Sequence, residues 1–339
     1  MKTRLTLLWL MSCAVALAQK PAPLIDGGSP GQMRNDNALQ MPLRWCPPGG
    51  FAMGSPESEV GRDAYEVLHP VRLSRGFWMG ETEVTQGQWE AVMGTSLQDQ
   101  AMKMLEDETL YPDGGRQKTL REAHGVPGGK KSLPKVCAAQ APNIPMYYVN
   151  WDEAAEFCVR LTERERKAAR LPAGMVYALP TEAQWEYACR AGTSTATYDG
   201  SMFVLGENNA PVLNDIAWYG GNSSVGYRGA GWTTNNWPNQ AFKGKMAGPR
   251  RVGQKKANAW GLKDTLGNMY EWVADWSSIP TADLAIDPTG PATGTAKIYR
   301  GGAWNHYATM CRAAKSFEAV PNYRRFNLSF RVALVHERR

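Results

Sequence analysis

The sequence predicts a loop-rich α+β domain built from short elements. Two observations carry that expectation. The chain of 339 residues holds 34 Gly and 22 Pro, so turns are frequent. It holds 13 Trp against 8 Phe, which suits indoles packed under loops better than a helical bundle. A third limits the alternatives: 43% hydrophobic and 21% charged residues exclude wholesale disorder and a fibrous repeat. The length admits one large domain or two small ones. The formal charge is +6. No dense Lys/Arg stripe with interleaved aromatics is present, so nucleic acid is not an expected partner.

Residues 1–18 (MKTRLTLLWLMSCAVALA) open with Lys2 and Arg4 and continue as an apolar run to Ala18. Ala16, Leu17 and Ala18 before Gln19 fit a cleaved secretory signal. The run is shorter than the roughly 20 residues a spanning helix needs. Leu10, Met11, Ser12 and Cys13 sit near a lipobox, with Met a poor match at the second position. The expectation is an exported periplasmic protein, not an integral membrane protein. Removal of the leader takes away two cations and no acid, leaving +4. Five cysteines then remain: Cys46, Cys137, Cys158, Cys189 and Cys311. An exported protein can form disulfides, and an odd count leaves at least one thiol unpaired within the chain. No C-x-x-C occurs, and His69, His124, His306 and His336 are scattered, which disfavours a zinc or His-based iron site.

Along the chain, residues 19–40 are polar and rich in Pro, Gly and Asn and read as a flexible arm. The folded domain is expected from 41 to 339. Residues 51–55 read as a strand leaving a turn, and 71–79 (VRLSRGFWM) as a second strand. Thr85 is a candidate N-cap for a helix over 86–93 that Gly94 closes. Residues 152–162 form an amphipathic helix with Ala155, Phe157, Cys158 and Leu161 on one face. Residues 181–190 form another, just after Pro180. The C-terminal third alternates short strands with Gly-rich turns and ends on a strand at 328–333. Residues 95–142 are a long basic excursion, helical over 98–110 and loop-like beyond. Such an excursion is either functional or a decoration. No internal repeat and no second hydrophobic core are evident, so the expectation is one domain with an insertion at about 95–142.

Seven phrases are specific when taken together: FAMGS at 51–55, ETEVTQGQWEAVMG at 81–94, VNWDEAAEFCVRL at 149–161, LPTEAQWEYACRAGT at 179–193, NAWGLKDTLGNMYEW at 258–272, RGGAW at 300–304 and NLSFRVA at 327–333. In this order they resemble the formylglycine-generating-enzyme-like (sulfatase-modifying factor) family, over most of residues 42–336 outside the excursion. The resemblance implies a C-type-lectin-like variant fold. Function must still come from the site, because the family includes copper-dependent oxidases, iron-dependent sulfoxide synthases, siderophore-maturation enzymes, secretion accessory proteins and ligand-binding receptors.

In the oxidases, the resemblance places two copper-binding cysteines in the loop after the Gly pair. Here the first position holds His306, and the second has no counterpart. One remaining thiol cannot make a bis-thiolate Cu(I) site, so formylglycine generation is not expected. The arm at 19–40 has no His for the iron site of the sulfoxide synthases. By the same resemblance, Cys189 and Cys311 match a structural disulfide of the family. Cys158 lacks its partner because Val332 stands there, and Cys46 with Cys137 is a possible second bridge. Asp264, Gly267, Met269 and Glu271 match a structural Ca²⁺ site, with two carboxylates and two carbonyls as hard oxygen ligands. The residue-level alternative is that Asp264 caps a turn and Glu271 pairs with an Arg. Trp304, Asn305, His306 and Tyr307 would floor a groove suited to a protein or peptide, and His306 alone could serve as a general base.

Two functional classes follow. One is a non-catalytic periplasmic binding module, similar to the TagR-type accessory branch of type VI secretion. That similarity implies promotion of a membrane threonine kinase and peripheral association with outer-membrane lipoproteins. The other is a periplasmic enzyme such as a siderophore-maturation oxidase. A broad shallow groove favours the first, and a narrow pocket with a buried acid favours the second.

Overall fold

A computed structural model describes residues 25–337, apart from 114 and 127. The expected signal at 1–18 lies outside the described residues. Helices and strands are short and mixed, and much of the chain is turn and loop.

One sheet has the spatial order Met33–Arg34, Leu43–Cys46, Phe77–Gly80, Ala333–His336, Met175–Ala178, with every neighbour antiparallel. A second places Ser316–Ala319, Lys297–Arg300, Tyr270–Trp276 and Leu328–Phe330 side by side. Its last pair is parallel, with Glu271 opposite Ser329. A third joins Ala285–Ile286, His69–Leu73 and Gly49–Met53. Among the described residues, no helix is long and apolar enough to cross a membrane.

The helix caps follow from local chemistry. Thr85 accepts from the Gln88 backbone at 3.3 Å, and the Gln88 side chain accepts from Thr85 N at 2.9 Å. Thr181 and Gln184 do the same for the helix Glu182–Arg190. These reciprocal pairs satisfy amides left over by the first helical turn. Gly94 closes its helix at φ 69°, a left-handed conformation that glycine adopts without steric cost. The central amphipathic helix is Trp151–Lys167, capped by Asn150.

Five expectations change. Residues 25–40 are not a free arm: Met33–Arg34 extends the first sheet, and the Trp78 indole donates to the Ile25 carbonyl at 2.8 Å. Residues 71–79 are two strands in different sheets, His69–Leu73 and Phe77–Gly80. Between them Ser74 N donates to Asp287 at 2.7 Å, which turns the chain. The C-terminal strand also divides, into Leu328–Phe330 and Ala333–His336. The buried apolar side chains form two clusters, not one. The first sheet is covered on both faces, so alternate residues enter different clusters: Trp78 one, Phe77 and Met79 the other. The fifth change concerns the cysteines. All five among the described residues are buried free thiols. Cys46 and Cys137 belong to opposite clusters and cannot meet. Cys189 and Cys311 share a cluster but make separate contacts, Cys189 with the Thr265 hydroxyl and Cys311 with backbone at Ala303 and Gly267.

The excursion at 95–142 is ordered and packed. Its helix Leu97–Glu106 buries Leu97, Ala101, Met104 and Leu105, and Leu120, Val126 and Val136 join the same cluster. Buried arginines brace the loops elsewhere. Arg312 binds Glu66 and the Gly61 carbonyl, and Arg300 binds Glu182, Glu186 and the Ala313 and Ala314 carbonyls. Each fork satisfies carbonyls that no sheet ladder reaches.

Candidate functional site

Two turns are laced together to form the site. Gly301 and Gly302 have φ 99° and 78°. A Cβ on Gly302 would lie 2.5 Å from the Cys311 sulfur, so this close approach requires glycine. The Gly301 carbonyl accepts from Gly267 N at 2.8 Å, and Trp304 N donates to the Asn268 carbonyl at 2.9 Å. The turn at 264–271 therefore fixes the loop at 301–311.

Trp304 is fully buried. Trp232, Trp237 and Phe326 pack on it with ring centroids at 5.2, 6.0 and 5.8 Å. It is a covered core residue, not an exposed groove floor, because a loop distant in sequence brings two more indoles over it. Asn305 accepts from Asn327 Nδ2 at 2.8 Å. His306 is half-buried with its ring edge-on to Tyr270 at 5.0 Å. Only Tyr307 is exposed, at 43%. The four residues expected to form one groove floor thus divide between core, half-buried wall and surface.

Desolvation, helped by the positive charge of Arg325, pushes the His306 imidazole down to about 3. A base so weak is poorly matched to neutral pH. Burial pushes the Cys311 thiol up to about 12, so the one cysteine of this loop is a protonated core thiol. Tyr270, Arg325 and Asn327 complete the wall around His306, and the Tyr270 hydroxyl and Asn327 Oδ1 are buried without a protein partner. Sequence reasoning missed these three as site residues, although Asn327 lies in the NLSFRVA phrase. Its position just before a strand was the available signal.

The turn that resembled a calcium loop is arranged differently. Asp264 adopts φ 56° and accepts from Gly253 N at 2.5 Å. Glu271 takes the Arg331 fork on both oxygens, at 2.6 and 2.5 Å, and also the Trp185 indole at 2.7 Å. A carboxylate held bidentate by a guanidinium does not fit a divalent-ion cage. Gly267 braces the neighbouring loop through its backbone N–H, and Met269 is fully buried. Among the described residues, no group of three or more His, Cys, Asp or Glu is placed to hold a metal. Glu83 lies in the same buried cluster. Burial, with Asp264 and Glu271 nearby, holds its carboxyl well above the usual range. Burial likewise raises Asp264 to about 6. The Arg331 guanidinium offsets part of the crowded charge here.

The loop opens on a face that is apolar and basic. Ala308 N donates to the Glu207 carbonyl, Ala241 N to Asn208 and Phe242 N to Gly221, which brings three loops together. Phe203, Leu205, Phe242 and Tyr307 are exposed there at 71, 59, 49 and 43%. Residues 216–263 contain no Asp or Glu but eight Lys and Arg. That acid-free run was legible in the sequence, and its meaning depends on the exposed aromatics beside it.

Residues 33–335 match the sulfatase-modifying factor enzyme 1-like domain. The chain belongs to that family. A formylglycine-generating enzyme of Streptomyces coelicolor is 28% identical over 344 residues, covering 93% of this chain and 95% of that protein. The serine/threonine-protein kinase pkn1 of Chlamydia pneumoniae is 27% identical over 159 residues, 46% of this chain and 20% of the kinase. Among solved structures, PvdO from Pseudomonas aeruginosa superposes with a TM-score of 0.62 at 23% identity, covering 91% of this chain and 99% of that one. The last likeness shows the fold, which is the α+β loop-rich architecture of the sulfatase-modifying factor family.

Proposed function

We propose that this sulfatase-modifying factor family member is a non-catalytic binding and regulatory protein of the periplasm. In this reading it is exported by a cleaved signal and promotes type VI secretion through a membrane threonine kinase. It associates peripherally with outer-membrane lipoproteins. One observation carries the non-catalytic part. The loop at 301–311 presents a weakly basic His306 and a sealed Cys311 where a copper oxidase needs two thiolates. The apolar and basic face beside that loop supports a protein partner, since exposed aromatics next to cations are typical anchors. The similarity of part of the chain to a bacterial serine/threonine kinase supports a kinase connection.

Capture of the intact protein from periplasmic and membrane extract tests this reading. Recovery of a kinase periplasmic domain or of secretion lipoproteins, lost in Phe242→Asp and Tyr307→Asp, supports it. Recovery of a bound redox metal with no protein partner contradicts it.

A second reading, a periplasmic enzyme of the siderophore-maturation type, draws on the unpartnered Tyr270 hydroxyl and Asn327 Oδ1 beside His306. Buried polar atoms without protein partners can serve a substrate. Oxidation of a small substrate by the wild type, lost in His306→Gln, would favour it.

A further inference from the structure

A cavity of about 530 Å³ lies apart from the loop at 301–311, between the strands Gly49–Met53 and Lys297–Arg300 and the helix Glu182–Arg190. This is the size of a small-molecule site. Met53, Ile279, Ile298 and Phe317 give it apolar walls, and Glu182 and His69 form its polar part. No step of the proposed function uses it.

Most of its cationic donors are already paired. Arg300 Nη1 donates to Glu182 at 2.8 Å and to the Ala314 carbonyl at 3.2 Å. Arg300 Nη2 donates to Glu186 and to the Ala313 carbonyl. Arg300 Nε has no hydrogen-bond partner but is sealed from the cavity, and the guanidinium lies over the Trp185 ring at 5.3 Å. At the rim, the Tyr65 hydroxyl meets Asp63 at 2.9 Å and the Ser316 carbonyl at 3.0 Å. Lys315 donates to Asp63 and to Tyr65.

Acceptors are left over. Glu182 Oε1 receives Arg300, while Oε2 has no protein partner and is not sealed by its surroundings. The His69 Nδ1 proton goes to the Val67 carbonyl at 2.8 Å, because a carbonyl can only accept. In the neutral ring this leaves the Nε2 lone pair as an acceptor. Of the four carboxylates that line it, Glu66 is paired with Arg312 and Glu186 with Arg190 and Arg300, which leaves Glu318 and the second oxygen of Glu182 as its acidic groups.

We infer that this cavity binds a small organic cation, a primary ammonium on an aromatic or branched apolar body. Two N–H groups of the ammonium bond Glu182 Oε2 and His69 Nε2, and the body packs on Phe317, Ile298 and Met53. Burial holds the empty-site Glu182 carboxyl above its usual range, although Arg300 draws it back. A bound cation stabilises the ionised form, so binding strengthens as pH rises.

The test titrates 2-phenylethylammonium chloride into the intact protein by calorimetry, beside phenylacetate and 2-phenylethanol. The ammonium is expected to bind, the anion not to bind, and the alcohol to bind more weakly. Glu182→Gln should weaken the ammonium by about tenfold or more, the effect of losing a hydrogen bond to a charged group. Ile279→Arg, at a rim position 73% exposed, should also weaken it without altering the fold. It decides the matter if Glu182→Gln fails to fold. No binding of the ammonium, equal binding of phenylacetate, or unchanged affinity in Ile279→Arg would overturn the inference.

Discussion

Two of the buried glutamate–arginine pairs differ in what they leave open. Glu271 receives Arg331 on both oxygens and Trp185 on one, and Arg331 also holds the carbonyls of Gly80, Glu81 and Lys263. Glu182 receives Arg300 on one oxygen only, and its other oxygen lines a cavity. The Glu271 side chain is fully buried, whereas the Glu182 side chain keeps 18% of its surface exposed on the cavity side. The first pair is closed and braces three loops. The second has an acceptor free for a ligand. Depth and partners together distinguish a brace from a site.

The largest expected effect comes from breaking the closed pair. Arg331→Met leaves Glu271 as a buried unpaired charge and releases three carbonyls. It should cost about 3–5 kcal/mol in urea unfolding. Glu182→Gln should cost less, under about 2 kcal/mol, because Arg300 keeps Glu186 and two carbonyls. Equal losses would erase the distinction between the pairs.

Acid sharpens the comparison through His306. Its pKa falls from 6.5 in the unfolded chain to about 3 in the fold. The unfolded state therefore binds more protons between those values. The resulting stability is fully present above 6.5, declines as pH falls, and levels off below about 3. His306→Gln should flatten that part of the unfolding profile. The smallest effect concerns calcium. With Glu271 held by Arg331, chelation should leave the thermal midpoint unchanged, whereas a drop on adding chelator would restore the turn at 264–271 as an ion site.

The parts legible in the sequence are those fixed by neighbouring residues. Thr85 and Thr181 cap their helices through side chains three positions away, a spacing visible in the chain. The strand break after Leu73 was not legible, because Asp287 makes it from far along the chain. Trp304 read as a groove floor since nothing local shows that Trp232 and Trp237 cover it. At Glu271 the sequence allowed either an ion or an arginine. Arg331, brought alongside by the parallel pairing of Tyr270–Trp276 with Leu328–Phe330, supplies the arginine. The excursion at 95–142 carried helical spacing in its first part, yet its anchoring needed the tertiary fold.

The loop at 301–311 follows the same logic as the closed pair, with its thiol sealed and its imidazole only weakly basic. The central claim is that this family member binds rather than oxidises. Incubating the intact protein with copper, oxygen and a sulfatase-type cysteine peptide, and reading the peptide by mass spectrometry, tests it most directly. The account predicts an unchanged cysteine in the peptide; formylglycine at that position would contradict it.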